Sequence, residues 1–174
     1  GVYNGLLQYN QSDKIVADLA ARWELSSDGK VYTFHLRKGV KWHDGKPFTS
    51  ADAKISLERI DQLVTLKFVT EAVDKIETPD ENTLRVTLKY PQMGFLASLA
   101  HGRTLMGPKH VIDAKGDLRR DAIGTGPFKL KEYITGVSVA AVKNNDYFVK
   151  GLPYLDSVTY YIIRDAATRL AAFR

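Results

Sequence analysis

Leu19-Ala-Ala-Arg-Trp-Glu-Leu-Ser-Ser-Asp-Gly-Lys-Val-Tyr-Thr-Phe-His-Leu-Arg37, continued by Lys38-Gly-Val-Lys-Trp-His-Asp-Gly-Lys-Pro-Phe-Thr-Ser-Ala-Asp52, sets the architecture. Ser26-Ser27-Asp28-Gly29 supplies the Asp-Gly chemistry that joins two strands as a hairpin. From Val31 to Arg37 the residues alternate, with Tyr32, Phe34 and Leu36 on one face and Thr33, His35 and Arg37 on the other, which predicts a half-buried strand. Val40-Lys41-Trp42 is a second short extended piece, and His43-Asp44-Gly45 is a turn. Thr49 is placed as a helix N-cap, with Asp52 three residues on to favour the positive end of the helix. Ala53, Leu57, Ile60 and Val64 then fall on one stripe.

Working outward, Asn10 to Asp13 is a polar turn, and Ile15 to Ala21 is expected to form a short turn of helix. Val73 to Thr78 is a strand ended by Pro79, and Thr83 to Tyr90 is its antiparallel partner, with one wet face. Gly94 to Ala100 and Pro108 to Ala114 are short helices separated by a break at His101 to Thr104. Lys115 to Asp121 is the expected crossing between domains. Strands follow at Phe128 to Ile134 and Val137 to Lys143. Val158 to Ile163, a strongly apolar strand, is expected to be buried on both faces, and Asp165 opens a final helix.

The 174 residues include 25 Lys and Arg against 20 Asp and Glu, for a net charge of +5. The basic residues are scattered, which favours a solvated surface over a nucleic-acid face. The absence of cysteine excludes disulfides, thiol catalysis and Cys-ligated zinc. No apolar run is long enough for a membrane helix. The chain opens mid-pattern and closes inside an apparent helix, so a fragment of a longer protein is expected.

Patterns of catalysis are largely missing. Gly124-Thr125-Gly126 is followed by Pro127 and a strand rather than a phosphate-holding helix, so it reads as a tight backbone passage. His43-Asp44 could serve as a metal or acid–base pair, but it reads first as a solvated turn. The aromatics Trp23, Tyr32, Phe34, Trp42 and Phe48 read as a core cluster. At the break, Arg103 either lies at the surface of a helix end or pairs with a ligand carboxylate through two hydrogen bonds; both readings stay open.

The ordered motifs resemble one family, the extracellular solute-binding protein family 5 (dipeptide-, oligopeptide- and nickel-binding proteins of ABC importers). The resemblance is carried by the opening stretch, Val73-Asp-Lys-Ile-Glu-Thr-Pro-Asp-Glu-Asn-Thr-Leu-Arg-Val-Thr-Leu88, Phe95-Leu-Ala-Ser-Leu-Ala100 and Pro108-Lys-His-Val-Ile112. Further on it continues through Gly124-Thr-Gly-Pro-Phe-Lys-Leu130, Asn145-Asp-Tyr-Phe148, Leu152-Pro-Tyr-Leu-Asp156 and Asp165-Ala-Ala-Thr-Arg-Leu-Ala-Ala-Phe173. Phe148-Val149-Lys150 departs from the family's frequent Trp-Gly pair.

The resemblance implies a mixed α+β and α/β fold of the periplasmic binding protein type II-like kind (cluster C). Residues 1–7 would end a first-lobe segment, 8–114 would form an accessory domain, and 115–174 would be the middle of the first lobe, with the second lobe absent. It implies a non-enzymatic, monomeric protein that captures a peptide or similar solute and delivers it to a membrane permease by hinge closure. Such a protein is periplasmic, or extracellular and lipid-anchored in a Gram-positive source, and needs no cofactor, resident metal or nucleic acid. Ligand contacts are expected from Arg103 and Tyr3, then His101 and Thr104. The same fold could bind a nickel chelate, a sugar or haem, and a small hydrolase acting on an anionic substrate is the alternative from another class.

Overall fold

The computed structural model describes residues 1–116, 118 and 122–172. Its centre is a four-stranded antiparallel sheet, built from β3 (Ala20–Leu25), β4 (Val31–Leu36), β5 (Val73–Asp80) and β6 (Thr83–Leu88) in the order β3-β4-β6-β5. The β3–β4 hairpin closes at Ser26 to Gly29, where Gly29 has φ +71° and its N–H reaches the Ser26 carbonyl at 2.9 Å. Tyr32, Phe34 and Leu36 of β4 and Leu84, Val86 and Leu88 of β6 are buried on one face, as the alternation requires.

Helix α1 (Ser50–Asp61) covers that face with Ala53, Leu57 and Ile60. Val64 does not continue the stripe. The helix ends at Asp61, and Val64 lies in a 3-10 turn (Val64–Leu66), 90% exposed. α2 (Lys67–Thr70), α3 (Phe95–Leu99) and α4 (Lys109–Lys115) complete this layer. The aromatic cluster is core, as expected. Tyr32, Phe34, Trp42 and Phe48 are buried, Trp23 packs against them, and the Trp42 and Phe48 rings meet edge-on at 5.7 Å.

Three other expectations change. Ile15–Ala17 is a strand, β2, paired with β1 (Leu7–Tyr9), and not a turn of helix. The Asn10 side chain accepts N–H groups of Ser12 and Lys14, both at 2.9 Å, and so closes the hairpin, while the β-branched Ile15 and Val16 suit a strand. Pro79 does not stop β5. As the outer strand of its sheet, β5 has no further neighbour to receive a donor from that position. β6 ends at Leu88, leaving Tyr90 half exposed.

A second sheet of β7 (Phe128–Ile134), β8 (Ser138–Lys143) and β9 (Ser157–Tyr161) follows in the order β7-β8-β9. β9 was expected to be buried on both faces. Among the described residues it is instead an outer strand, paired with β8 alone, and Tyr161 is 72% exposed. An apolar run marks surface that can be covered, and nothing among the described residues covers this one. α5 (Ala166–Ala171) opens with the Asp165 carboxylate accepting the Thr168 N–H at 2.8 Å. Most of the expected crossing at Lys115 to Asp121, together with Phe173 and Arg174, lies outside the described residues.

Residues 1–6 join the two sheets. The Val2 carbonyl accepts Gly126 N–H at 2.9 Å, and the Gly1 carbonyl accepts Phe128 N–H at 3.3 Å. The Asn4 carbonyl accepts Met106 N–H at 3.0 Å, and Gly5 bridges Leu105. A Cβ at Gly124 would lie 1.9 Å from the Val2 carbonyl oxygen, so this passage admits only glycine. That is the tight backbone passage read from Gly124-Thr125-Gly126.

Candidate functional site

The N-terminal segment, the 100–105 loop and Tyr147 surround an open hollow of about 230 Å³. Its floor is polar. Asp18, only 4% exposed, accepts the Asn4 Nδ2 group at 2.9 and 3.1 Å and the Gly5 N–H at 3.1 Å. Burial pushes the Asp18 carboxyl above its usual range, although the Asn4 and Gly5 hydrogen bonds and Arg37 oppose the shift. Asn4 Oδ1 in turn accepts the Thr125 hydroxyl at 3.1 Å, so the floor ties together residues 121 positions apart. Arg37 donates from Nε to the Asp18 carbonyl at 2.6 Å and lies 5.5 Å from the centre of the Phe148 ring. Tyr147 lines the hollow, and burial raises its hydroxyl pKa.

Tyr3 and His101 both line this hollow. The His101 ring packs edge-on against Phe68 of α2, 6.0 Å between centres, and its Nδ1 accepts the Arg103 N–H at 3.2 Å. Thr104 is completely buried. Its hydroxyl donates to the Ser98 carbonyl at 2.9 Å, and its N–H donates to the His101 carbonyl at 2.8 Å. Thr104 therefore holds the loop from beneath. Arg103 lines a separate hollow of about 150 Å³, and Leu105 borders both spaces. The four expected residues thus share one loop edge and the segment facing it, but they do not share one cavity.

The His43-Asp44 pair is divided by the fold. The His43 ring lies against the glycine passage, with Nε2 2.9 Å from the Gly126 carbonyl and Nδ1 accepting the Gly124 N–H at 3.2 Å. Accepting at Nδ1 leaves Nε2 as the donor, which is the neutral tautomer. Burial holds its pKa below the usual histidine value. Asp44 pairs instead with His110 at 2.6 Å, which keeps its carboxyl below the usual range despite partial burial. Neither arrangement offers a free acid and base side by side. Among the described residues no cluster of three His, Cys, Asp or Glu could hold a metal ion.

A roomier groove of about 400 Å³ between α1, α2 and β5 mixes Glu58, Asp61, Glu71 and Asp74 with Lys67 and Lys89. Its buried polar group is the Thr70 hydroxyl, which donates to Asp61 at 2.9 Å. The smaller hollow is floored by a buried carboxylate, Asp18, that accepts from both Asn4 and Gly5, so the smaller hollow is the better candidate. The residues that sequence reading missed are Asn4, Asp18, Phe68 and Tyr147. Asp18 did leave a trace, as a lone acid between apolar Ala17 and Leu19.

The profile of bacterial extracellular solute-binding proteins, family 5 (middle), matches residues 14–174. The chain belongs to this family. Among curated family 5 relatives, the glutathione-binding protein GsiB of Pectobacterium atrosepticum is 34% identical over 173 residues, matching 97% of this chain and 34% of GsiB. The chain therefore spans about a third of the length of that relative. Among solved structures, the binding protein AgaA of A. tumefaciens R10, in complex with agropinic acid, superposes with a TM-score of 0.90 at 38% identity. That match covers 98% of this chain and 35% of AgaA. The periplasmic binding protein DppA of Helicobacter pylori, in complex with the peptide STSA, gives 0.86 at 31%, over 98% of this chain and 38% of DppA. The family's mixed type II-like periplasmic binding fold agrees with the fold expected from the ordered motifs. Among the described residues no helix is long and apolar enough to cross a membrane.

Proposed function

We propose that the intact protein is the solute-binding component of an ABC importer and captures a small peptide or a comparably polar, acid-bearing solute for a membrane permease. The observation that carries this reading is the family 5 match over 14–174, combined with a polar-floored hollow at the seam of the two sheets. Glutathione, a tetrapeptide and agropinic acid are what the relatives' names attach to this fold. Capture works by hinge closure, in which the solute stabilises a closed form already accessible to the free protein. No covalent chemistry is assigned, and the protein works as a monomer in the periplasm, or lipid-anchored outside a Gram-positive cell.

Within that reading, residues 8–114 serve as the accessory domain, while 1–7 and 115–174 belong to the first lobe. Tyr3, His101 and Arg103 line the solute side, and Thr104 supports their loop. Isothermal titration of the intact protein with glutathione, the tetrapeptide Ser-Thr-Ser-Ala and agropinic acid is the test. Saturable binding of at least one, weakened about tenfold or more by Arg103→Ala, is expected. No binding of any of the three overturns the solute class, and an unchanged affinity in Arg103→Ala removes that residue from the site.

A further inference from the structure

Arg59 occupies the last turn of α1, where a cation suits the negative end of a helix. That accounts for its charge but not for its placement. Its Nη1 atom is buried, with no hydrogen-bond partner among the described residues. A guanidinium nitrogen withdrawn from water with no acceptor is costly, and native proteins rarely retain one without a use.

Arg59 lines the same 150 Å³ hollow as Arg103, between the apolar side chains of Ile60, Leu66, Leu105 and Ile112. Among the described residues no carboxylate contributes to the lining. Among the described residues the ion pairs lie elsewhere, and none includes Arg59 or Arg103. The space is below the roughly 300–1,000 Å³ of pockets that enclose a whole small ligand. It suits one group of a solute whose remainder lies across Leu105.

We propose that this hollow is a carboxylate subsite, in which Arg59 and Arg103 are two cationic arms that grip the acid end of the solute. The planar fork of a guanidinium matches a carboxylate through paired hydrogen bonds, and the apolar walls offer it no competing partner. Arg59 is then a specificity-determining residue that selects acids over their neutral amides. Leu105 divides the acid end from the part of the solute that lies over Asp18, Tyr3 and His101. This rests on the reading of the 101–105 loop as the solute-facing edge.

The test is a titration of the intact protein, ¹⁵N-labelled at arginine, with N-acetylglycine, N-acetylglycinamide and inorganic phosphate, following the arginine Nε–H resonances. N-acetylglycine is expected to move the Arg59 and Arg103 signals saturably, and the amide to move neither. Arg59→Gln should weaken the response at Arg103 by about tenfold to a hundredfold. Arg59→Lys keeps the charge without the fork and should weaken it several-fold, so it carries the test if the glutamine variant fails to fold.

Equal responses to acid and amide, no response to the acid, or unchanged affinity in both variants overturns the proposal. A stronger response to phosphate than to N-acetylglycine overturns the carboxylate assignment. A response to N-acetylglycine alongside silence toward glutathione, the tetrapeptide and agropinic acid removes the solute class and leaves the subsite. The converse removes the subsite and leaves the solute class.

Discussion

The Asp52 carboxylate accepts the backbone N–H of Lys109 at 2.7 Å, 57 residues along the chain, while its other oxygen accepts the Thr49 N–H at 2.8 Å. One side chain, 5% exposed, thus closes the start of α1 and holds the start of α4 against it. Ser56 extends the same contact, with its hydroxyl 2.9 Å from the Gly107 N–H that donates to it. The 101–107 loop is anchored at its far end by these bonds.

Asp52→Ala is therefore expected to lower stability by roughly 2–3 kcal/mol, because two part-buried N–H groups lose a charged acceptor. Thr49→Ala removes the hydroxyl of the capping box, 3.3 Å from the Asp52 carboxylate, but leaves the Lys109 contact, and should cost about 1 kcal/mol. Urea unfolding of the intact protein measures both. Equal losses would show that Asp52 acts on α1 alone.

His43 makes stability depend on pH. Its ordinary pKa is 6.5, and burial, reinforced by Lys129, lowers it in the fold. Below 6.5 the unfolded chain binds a proton that the folded chain resists, so stability falls as the pH drops from 6.5 toward the depressed value and then levels. A proton on Nδ1 would also displace the Gly124 N–H. His43→Gln does not titrate, so its stability deficit relative to the wild type should shrink between about pH 7.5 and about pH 5. Parallel pH profiles for the two proteins would refute this.

Gly124→Ala must move the Val2 carbonyl, and Gly126→Ala would place a Cβ 2.4 Å from the Gly1 carbonyl oxygen. Both are expected to release residues 1–3, at a cost of about 1–3 kcal/mol. Hydrogen exchange at Gly126 and Phe128, whose N–H groups bond Val2 and Gly1, should accelerate while the core amides of β4 stay protected. Gly102→Ala is the control, since its Cβ would meet nothing within 4 Å.

Alternation in β4 and β6 was legible because one face of each strand packs under α1 and the other meets water. Thr49 and Asp52 marked the start of α1, and Pro108 the start of α4, for reasons local to the chain. β2 was missed because three residues carry no periodicity, and its strand state depends on pairing with β1. β9 was misjudged because apolar content records what a surface can bury, not what lies on it. The loop at His101 to Arg103 was found from its break between two helices. Asp18 and Asn4 escaped notice because their roles depend on contacts 14 and 121 residues away. Arg59 drew no notice because the hollow it lines exists only where α1 meets Arg103, Leu105 and Gly107, more than forty residues along the chain.

Residues 1–6 act as a leash between two bodies. One end is fastened to the glycine passage before β7, and the other to Leu105 and Met106 beside the four-stranded sheet. Six residues reach at most about 20 Å when fully drawn out, and these are already fastened at both ends. His43 fastens the same passage from the side of the four-stranded sheet, its backbone N–H donating to the Gly124 carbonyl at 2.8 Å and its Nε2 lying 2.9 Å from the Gly126 carbonyl. The passage is thus clamped from two sides, and because Asn4 bonds both Thr125 within it and Asp18 in the floor, loosening the seam would disturb the floor as well.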